Sequence, residues 1–206
     1  MGITFFLDSA NPSDWEDWAN TGLFKGITTN PTLLKQSNQA CNIENLRVLA
    51  KKVSRLDYKE LHIQSWGKNS HEILERGMEI AKMSSNRLDI YIKIPITIEG
   101  IKAAKELINN GLKVTFTACY EPKQTLIASA LGANYIAPYL GRMNDLKQNG
   151  MADIRSMQKI LINSDSNCKL LIASIRQERE ITQLAQEGIK TFTISPYIAN
   201  RLVTTY

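Results

Sequence analysis

A single-domain (β/α)8 barrel, the TIM-barrel form of the α/β class, is the fold this sequence predicts, and three observations predict it. Short β-branched or apolar runs alternate with longer segments of helical periodicity along all 206 residues. The runs number eight, the count of a closed parallel barrel, whereas a doubly wound open sheet usually has fewer. Each run gives way at its C-terminal end to polar residues, which is where a barrel places its binding loops.

In chain order, the first strand is Thr4–Leu7, closed by Asp8 and Ser9, and Asn11 ahead of Pro12 marks a helix start. The second, Gly26–Thr28, runs into "TTNP", and the third is Glu60–Gln64, followed by the helical "HEILERGMEIAKM", His71–Met83. Strand four is Ile90–Lys93, and after it "TIEGIKAAKELINN", Thr97–Asn110, is stopped by Gly111. Strand five, Lys113–Thr117, precedes "EPKQTLIASAL", Glu121–Leu131, with Pro122 inside its start and Gly132 as its stop. Tyr135–Ala137 and Leu170–Ala173 are strands six and seven; "RQEREITQLAQEG", Arg176–Gly188, leads to strand eight, Thr191–Thr193.

The composition, 43% hydrophobic and 22% charged, is that of a soluble globular protein and excludes disordered and fibrous classes. The length fits one domain over residues 1–206. Cys41, Cys119 and Cys168 are an odd number with no CxxC pair and no adjacent histidine, so a reducing cytoplasm and no metal are expected. The start, "MGITFFLDSANPSDW", lacks a basic n-region, and Asp8 cuts its apolar run, so neither signal peptide nor membrane anchor is expected. A net charge of +5 fits nucleic acid, a membrane surface or a phosphorylated metabolite. Its lysines and arginines are dispersed and no basic run interleaves with aromatics, which argues against nucleic acid and for a small anionic substrate.

The candidate site follows from the strand ends. Alternation in "LDIYIKIPIT" puts Tyr91 and Lys93 on one face and Ile90, Ile92 and Ile94 on the other. The isoleucines face the helices, so Lys93 points into the barrel, where desolvation is expected to lower its pKa. A neutral amine there is a nucleophile for a carbonyl, giving a Schiff base, although a structural lysine paired with Asp8 is the competing reading. Asp8 by itself also reads as an acid ahead of a helix start. Arg142 and Arg176, following strands six and seven, suit a phosphate together with Ser174. Thr28, Asn30, Gln64, Thr117, Tyr139 and Ser195 complete the ring of polar strand ends. Cys119 reads as a buried small residue; His62 and His71 lack metal spacing, and His62 shares the inward parity of Gln64.

At "GITTNPTLLK", "IYIKIPIT", "YIAPYLGR" and "LLIASIR", in that order and essentially end to end, the sequence resembles the small transaldolase and fructose-6-phosphate aldolase family. The resemblance implies that Lys93 forms the Schiff base with a ketose phosphate and that Asp8 is the general acid/base. It implies that Asn30 holds the hydroxyls of a dihydroxyacetone unit and that Thr117, with Gln64, positions a catalytic water. Arg142, Ser174 and Arg176 match the phosphate-binding set, and Ser195 orients the three-carbon unit, with no cofactor or metal. Gln64 and Tyr139 depart from the transaldolase pattern, which often has glutamate and phenylalanine there, and resemble the aldolase branch; Arg176 in "ASIR" matches transaldolases. The implied activity is therefore a transaldolase, with an aldolase releasing free dihydroxyacetone as the alternative and a non-catalytic phosphate- or nucleic-acid-binding barrel as a remote one. The resemblance also implies a cytoplasmic homo-oligomer, a pentamer or decamer, although the C-terminal helix of the family is not expected beyond "SPYIANRLVTTY".

Overall fold

The structure is a computed structural model that describes residues 2–146 and 149–204. Eight parallel strands form the sheet: β1 (Thr4–Asp8), β2 (Phe24–Thr28), β3 (Glu60–Gln64), β4 (Asp89–Pro95), β5 (Lys113–Cys119), β6 (Tyr135–Pro138), β7 (Lys169–Leu170) and β8 (Thr191–Ile194). They lie in sequence order, with β8 beside β1. The expected seventh strand, Leu170–Ala173, is only partly regular, because its residues turn alternately to two neighbours. Leu171 and Ala173 donate to the carbonyls of Ile136 and Pro138 at 2.9 Å, while Ile172 donates to Thr191 at 3.0 Å and accepts from Thr193 at 2.8 Å. The latter pair closes the barrel.

The helices are α1 (Pro12–Ala19), α2 (Pro31–Gln36), α3 (Ile43–Val53), α4 (Ser70–Ala81), α5 (Ile98–Asn109), α6 (Lys123–Leu131), α7 (Leu140–Asp145), α8 (Gly150–Asn163), α9 (Glu178–Gln186) and α10 (Pro196–Val203). Sequence periodicity singles out α4, α5, α6 and α9, and Asn11 marks α1. Of the others, α2, α3, α8 and α10 are legible only through their caps, Asn30, Asn42, Asn149 and Ser195, each of which accepts a backbone N–H of the first turn, while α7 has no side-chain cap. Gly111, Gly132 and Gly188 end helices with φ between +72° and +87°, as their positions in the sequence require. Among the described residues no helix is long and apolar enough to cross a membrane.

Outward-facing strand residues such as Ile90, Ile92 and Ile94 join the helices in the main core. Inside the barrel a smaller cluster of Phe6, Tyr91, Tyr135, Ala137 and Leu171 forms a plug. His62 completes it, stacked on Tyr91 with ring centroids 4.6 Å apart and edge-on to Phe6 at 5.0 Å. The plug divides the interior into a polar mouth at the strand C-termini and a separate floor at their N-termini.

Candidate active site

Lys93 stands above the plug, 4% exposed, as strand parity requires. Its ammonium donates to the carbonyl of Thr29 at 2.9 Å, and among the described residues no carboxylate lies within ion-pair distance of it. A backbone carbonyl is a weak counterion, so the amine is fixed in place without a carboxylate claiming its charge.

Asp8 closes β1 beside it. The Thr28 hydroxyl donates to Asp8 Oδ1 at 2.6 Å, which leaves Thr193, also 2.6 Å from Thr28 Oγ1, to donate in turn. Burial pushes the Asp8 carboxyl above its ordinary range, and the charge of Lys93 and the Thr28 hydrogen bond pull against that rise. Asp8 is not the acid of the following helix: Asp14 holds that place and accepts from Ser9 and Asn11.

A cavity of about 190 Å³ opens over these two groups, bordered also by Asn30, Tyr139, Arg142 and Ser174. Asn30 caps α2, its Oδ1 accepting from Leu33 N at 3.0 Å, so its amide is rigidly oriented. The Tyr139 hydroxyl pairs with Thr117 Oγ1 at 2.6 Å, and Arg142 lies over the Tyr139 ring with its guanidinium carbon 5.3 Å from the centroid. Ser174 adopts a left-handed φ of 58°, and its carbonyl accepts from Gly141 N at 2.9 Å. A side chain at 141 would collide with that carbonyl, so glycine lets α7 dock here and carries Arg142 to the rim.

The structure does not bring every candidate to the cavity. Arg176 is exposed and makes a two-pronged ion pair with Asp145. Ser195 caps α10, accepting from Ile198 N at 3.3 Å. Gln64 sits in register with Lys93. Thr28 and Thr117 reach the site through Asp8 and Tyr139.

Three features escaped the sequence reading. Thr193 is one, although the alternation of "TFTI" turns it inward. The Thr29 carbonyl is another, and no side-chain pattern reveals a backbone acceptor. The third lies in the floor, where the buried Glu60 accepts from Tyr91 at 3.4 Å, from Tyr135 at 3.3 Å and from Lys25. Burial pushes the Glu60 carboxyl up, but hydrogen bonds from His62 and Lys25 and the charge of Lys25 outweigh it and hold it at about 2. His62, fully buried, is pushed down by burial and is neutral at pH 7. Its Nε2–H therefore donates to Glu60 at 3.3 Å, and its Nδ1 accepts from Thr115 at 2.9 Å. His71 is exposed beside Glu75, and Cys119 is buried with its thiol pushed up by burial.

Compared with known proteins, residues 5–205 match the family described as Transaldolase/Fructose-6-phosphate aldolase. The chain belongs to this family. A probable transaldolase of Hyphomonas neptunium is 32% identical over 202 residues, 98% of this chain and 90% of that protein. One from Lactiplantibacillus plantarum is 30% identical over 97% of this chain and 88% of that one. Among solved structures, one titled "Native KDPGal structure" superposes with a TM-score of 0.63 at 11% identity, covering 94% of this chain and 82% of that one. A flavocytochrome b2 variant with sulfite bound gives 0.65 at 11% identity, over 95% and 57%. At such identities these two speak for the barrel alone. As a transaldolase/fructose-6-phosphate aldolase family member, the chain gathers Lys93, Asp8, Asn30, Tyr139, Arg142 and Ser174 around one mouth.

Proposed function

We propose that this chain is a transaldolase that moves a dihydroxyacetone unit from a ketose phosphate, fructose 6-phosphate or sedoheptulose 7-phosphate, to an aldose phosphate, as in the pentose phosphate pathway. The observation that carries the reading is Lys93, nearly buried, bonded to one backbone carbonyl and sharing its cavity with Asp8. After giving up its proton, the Lys93 amine adds to the C2 carbonyl and loses water to give a protonated imine. Asp8 takes the proton of the C4 hydroxyl, the C3–C4 bond breaks, and its electrons pass into the imine as an enamine while the aldehyde phosphate leaves. A raised carboxyl pKa suits that base, because it strengthens the ionised form as a proton acceptor. The acceptor aldehyde is then attacked by the enamine and receives the proton from Asp8. Hydrolysis of the new imine frees the product.

Asn30 is positioned to hold the hydroxyls of the three-carbon unit, and Arg142 with Ser174 to take the phosphate at the rim. Arg176 joins them only by leaving Asp145. Gln64, which cannot ionise, and Thr117 orient water by hydrogen bonds, and Ser195 acts by fixing the start of α10 near the three-carbon unit. The reaction calls on no cofactor or metal, and neither nucleic acid nor a membrane is a partner. We further propose a cytoplasmic homo-oligomer.

The Tyr139–Thr117 hydroxyl pair favours a second reading, an aldolase that releases dihydroxyacetone, because it can hold a water at the mouth. Product analysis with fructose 6-phosphate decides between them. A transaldolase forms sedoheptulose 7-phosphate only when erythrose 4-phosphate is present, whereas an aldolase releases dihydroxyacetone at the same rate without it.

A further inference from the structure

A cavity of about 410 Å³, larger than the one at the mouth, is at the other end of the barrel, beneath the plug. Its volume falls in the range of small-molecule sites, roughly 300–1,000 Å³. Five lysines stand at strand N-termini: Lys25, Lys59, Lys113, Lys169 and Lys190. Lys59 pairs with Asp57, Lys113 with Asp89 and Lys25 with the buried Glu60. Lys169 and Lys190 have no carboxylate partner among the described residues, and both line this cavity. No aspartate or glutamate lines it among the described residues, and Glu60 is already taken by Lys25, His62 and two tyrosines.

The rest of the lining is partly polar and partly apolar. Thr4 and Thr191, paired at the start of β1 and β8, add hydroxyls beside the lysines. Leu161 and Ile162 of α8 and Leu170 of β7 add an apolar wall. Two uncompensated ammonium groups select an anion, and the wall selects one with an apolar body.

We propose that this cavity is a second binding site, for an organic phosphate whose head lies between Lys169 and Lys190 and whose body rests on α8. It is separated from the mouth by the aromatic plug, so its occupant is not the substrate of the Lys93 site. The probe is phenyl phosphate, titrated calorimetrically into the full chain carrying Arg142→Ala, which weakens phosphate binding at the mouth. Saturable binding of one probe per chain is expected, about tenfold or more weaker when Lys169→Glu and Lys190→Glu are added. Lys59→Glu, which reverses a charge at the same end but outside the cavity, leaves it unchanged. Absence of saturable binding overturns the proposal, as does equal weakening by Lys59→Glu. Equal affinity for inorganic phosphate overturns the assignment of an apolar body. Both lysines are exposed, and an unchanged thermal midpoint verifies that the doubly reversed protein is folded.

Discussion

Glu60→Gln tests the floor of the barrel. The carboxyl is held at about 2 against an ordinary 4.5, and a drop of that size is worth about 3 kcal/mol of preference for the folded, ionised form. That figure is an upper bound for two reasons. Neutral His62 supplies a hydrogen bond but no charge, and the Lys25 side chain is 42% exposed, so solvent screens its share. Glutamine keeps the shape and one acceptor for the tyrosine hydroxyls but loses the charge, and a loss of about 2 kcal/mol at pH 7 follows, or roughly 4–8 °C in Tm for a chain of this size. The folded pKa lies below the unfolded one, so this stability is present above about pH 4.5 and is lost as the pH falls toward 2. His62, its pKa lowered by burial, is neutral in both folded proteins at pH 7. Urea unfolding at pH 7, 5 and 3 measures the difference: the gap between the two proteins is constant down to pH 5 and narrows by pH 3, with unchanged m. Equal stability at pH 7, or a gap as wide at pH 3 as at pH 7, refutes this account of the floor.

Asp8 has the opposite sign: its folded pKa is raised, so its contribution is complete below about pH 3.9 and lost as the pH rises through the folded value. Asp8→Asn is therefore expected to unfold at higher urea than wild type at pH 7, with the gap closing toward pH 4, while transfer activity is abolished. Arg142→Ala is expected to raise KM for phosphorylated substrates ten- to a hundredfold, corresponding to about 1.5–3 kcal/mol for a charge-assisted contact. Arg176→Ala is expected to raise it less, since Asp145 holds that side chain away from the cavity; steady-state kinetics ranking them the other way contradicts this placement. Tyr139→Phe removes the hydroxyl partner of Thr117 and is expected to lower the ratio of dihydroxyacetone release to transfer by about tenfold, as for one lost hydrogen bond to water. An unchanged ratio means that Tyr139 only packs.

The barrel was legible because burial on both faces of a parallel strand leaves a strong signal, and period-two alternation in "IYIKIPIT" already set Lys93 inward. Helices α2, α3, α7, α8 and α10 were less so: α2 and α7 are six residues each, too short for periodicity to declare, and only their caps or docking glycines mark them. Residue type told which strand ends are polar, but not which side chains reach the cavity. Arg176 turns to Asp145, thirty-one residues earlier, and Ser195 is drawn to its own helix; both are choices among competing hydrogen bonds that sequence spacing does not reveal. The Glu60 cluster stayed hidden for a related reason. A glutamate opening a strand reads as exposed until Lys25, Tyr91 and Tyr135, from three other strands, are seen to converge on it.

If Lys93 is the nucleophile, borohydride reduction during turnover of fructose 6-phosphate traps its imine. The imine is reduced to a stable secondary amine, and peptide mass mapping locates it. One dihydroxyacetone-derived adduct per chain is expected, on Lys93, and none on a folded Lys93→Met protein. An adduct on any other lysine, or full turnover by Lys93→Met, contradicts that role for Lys93.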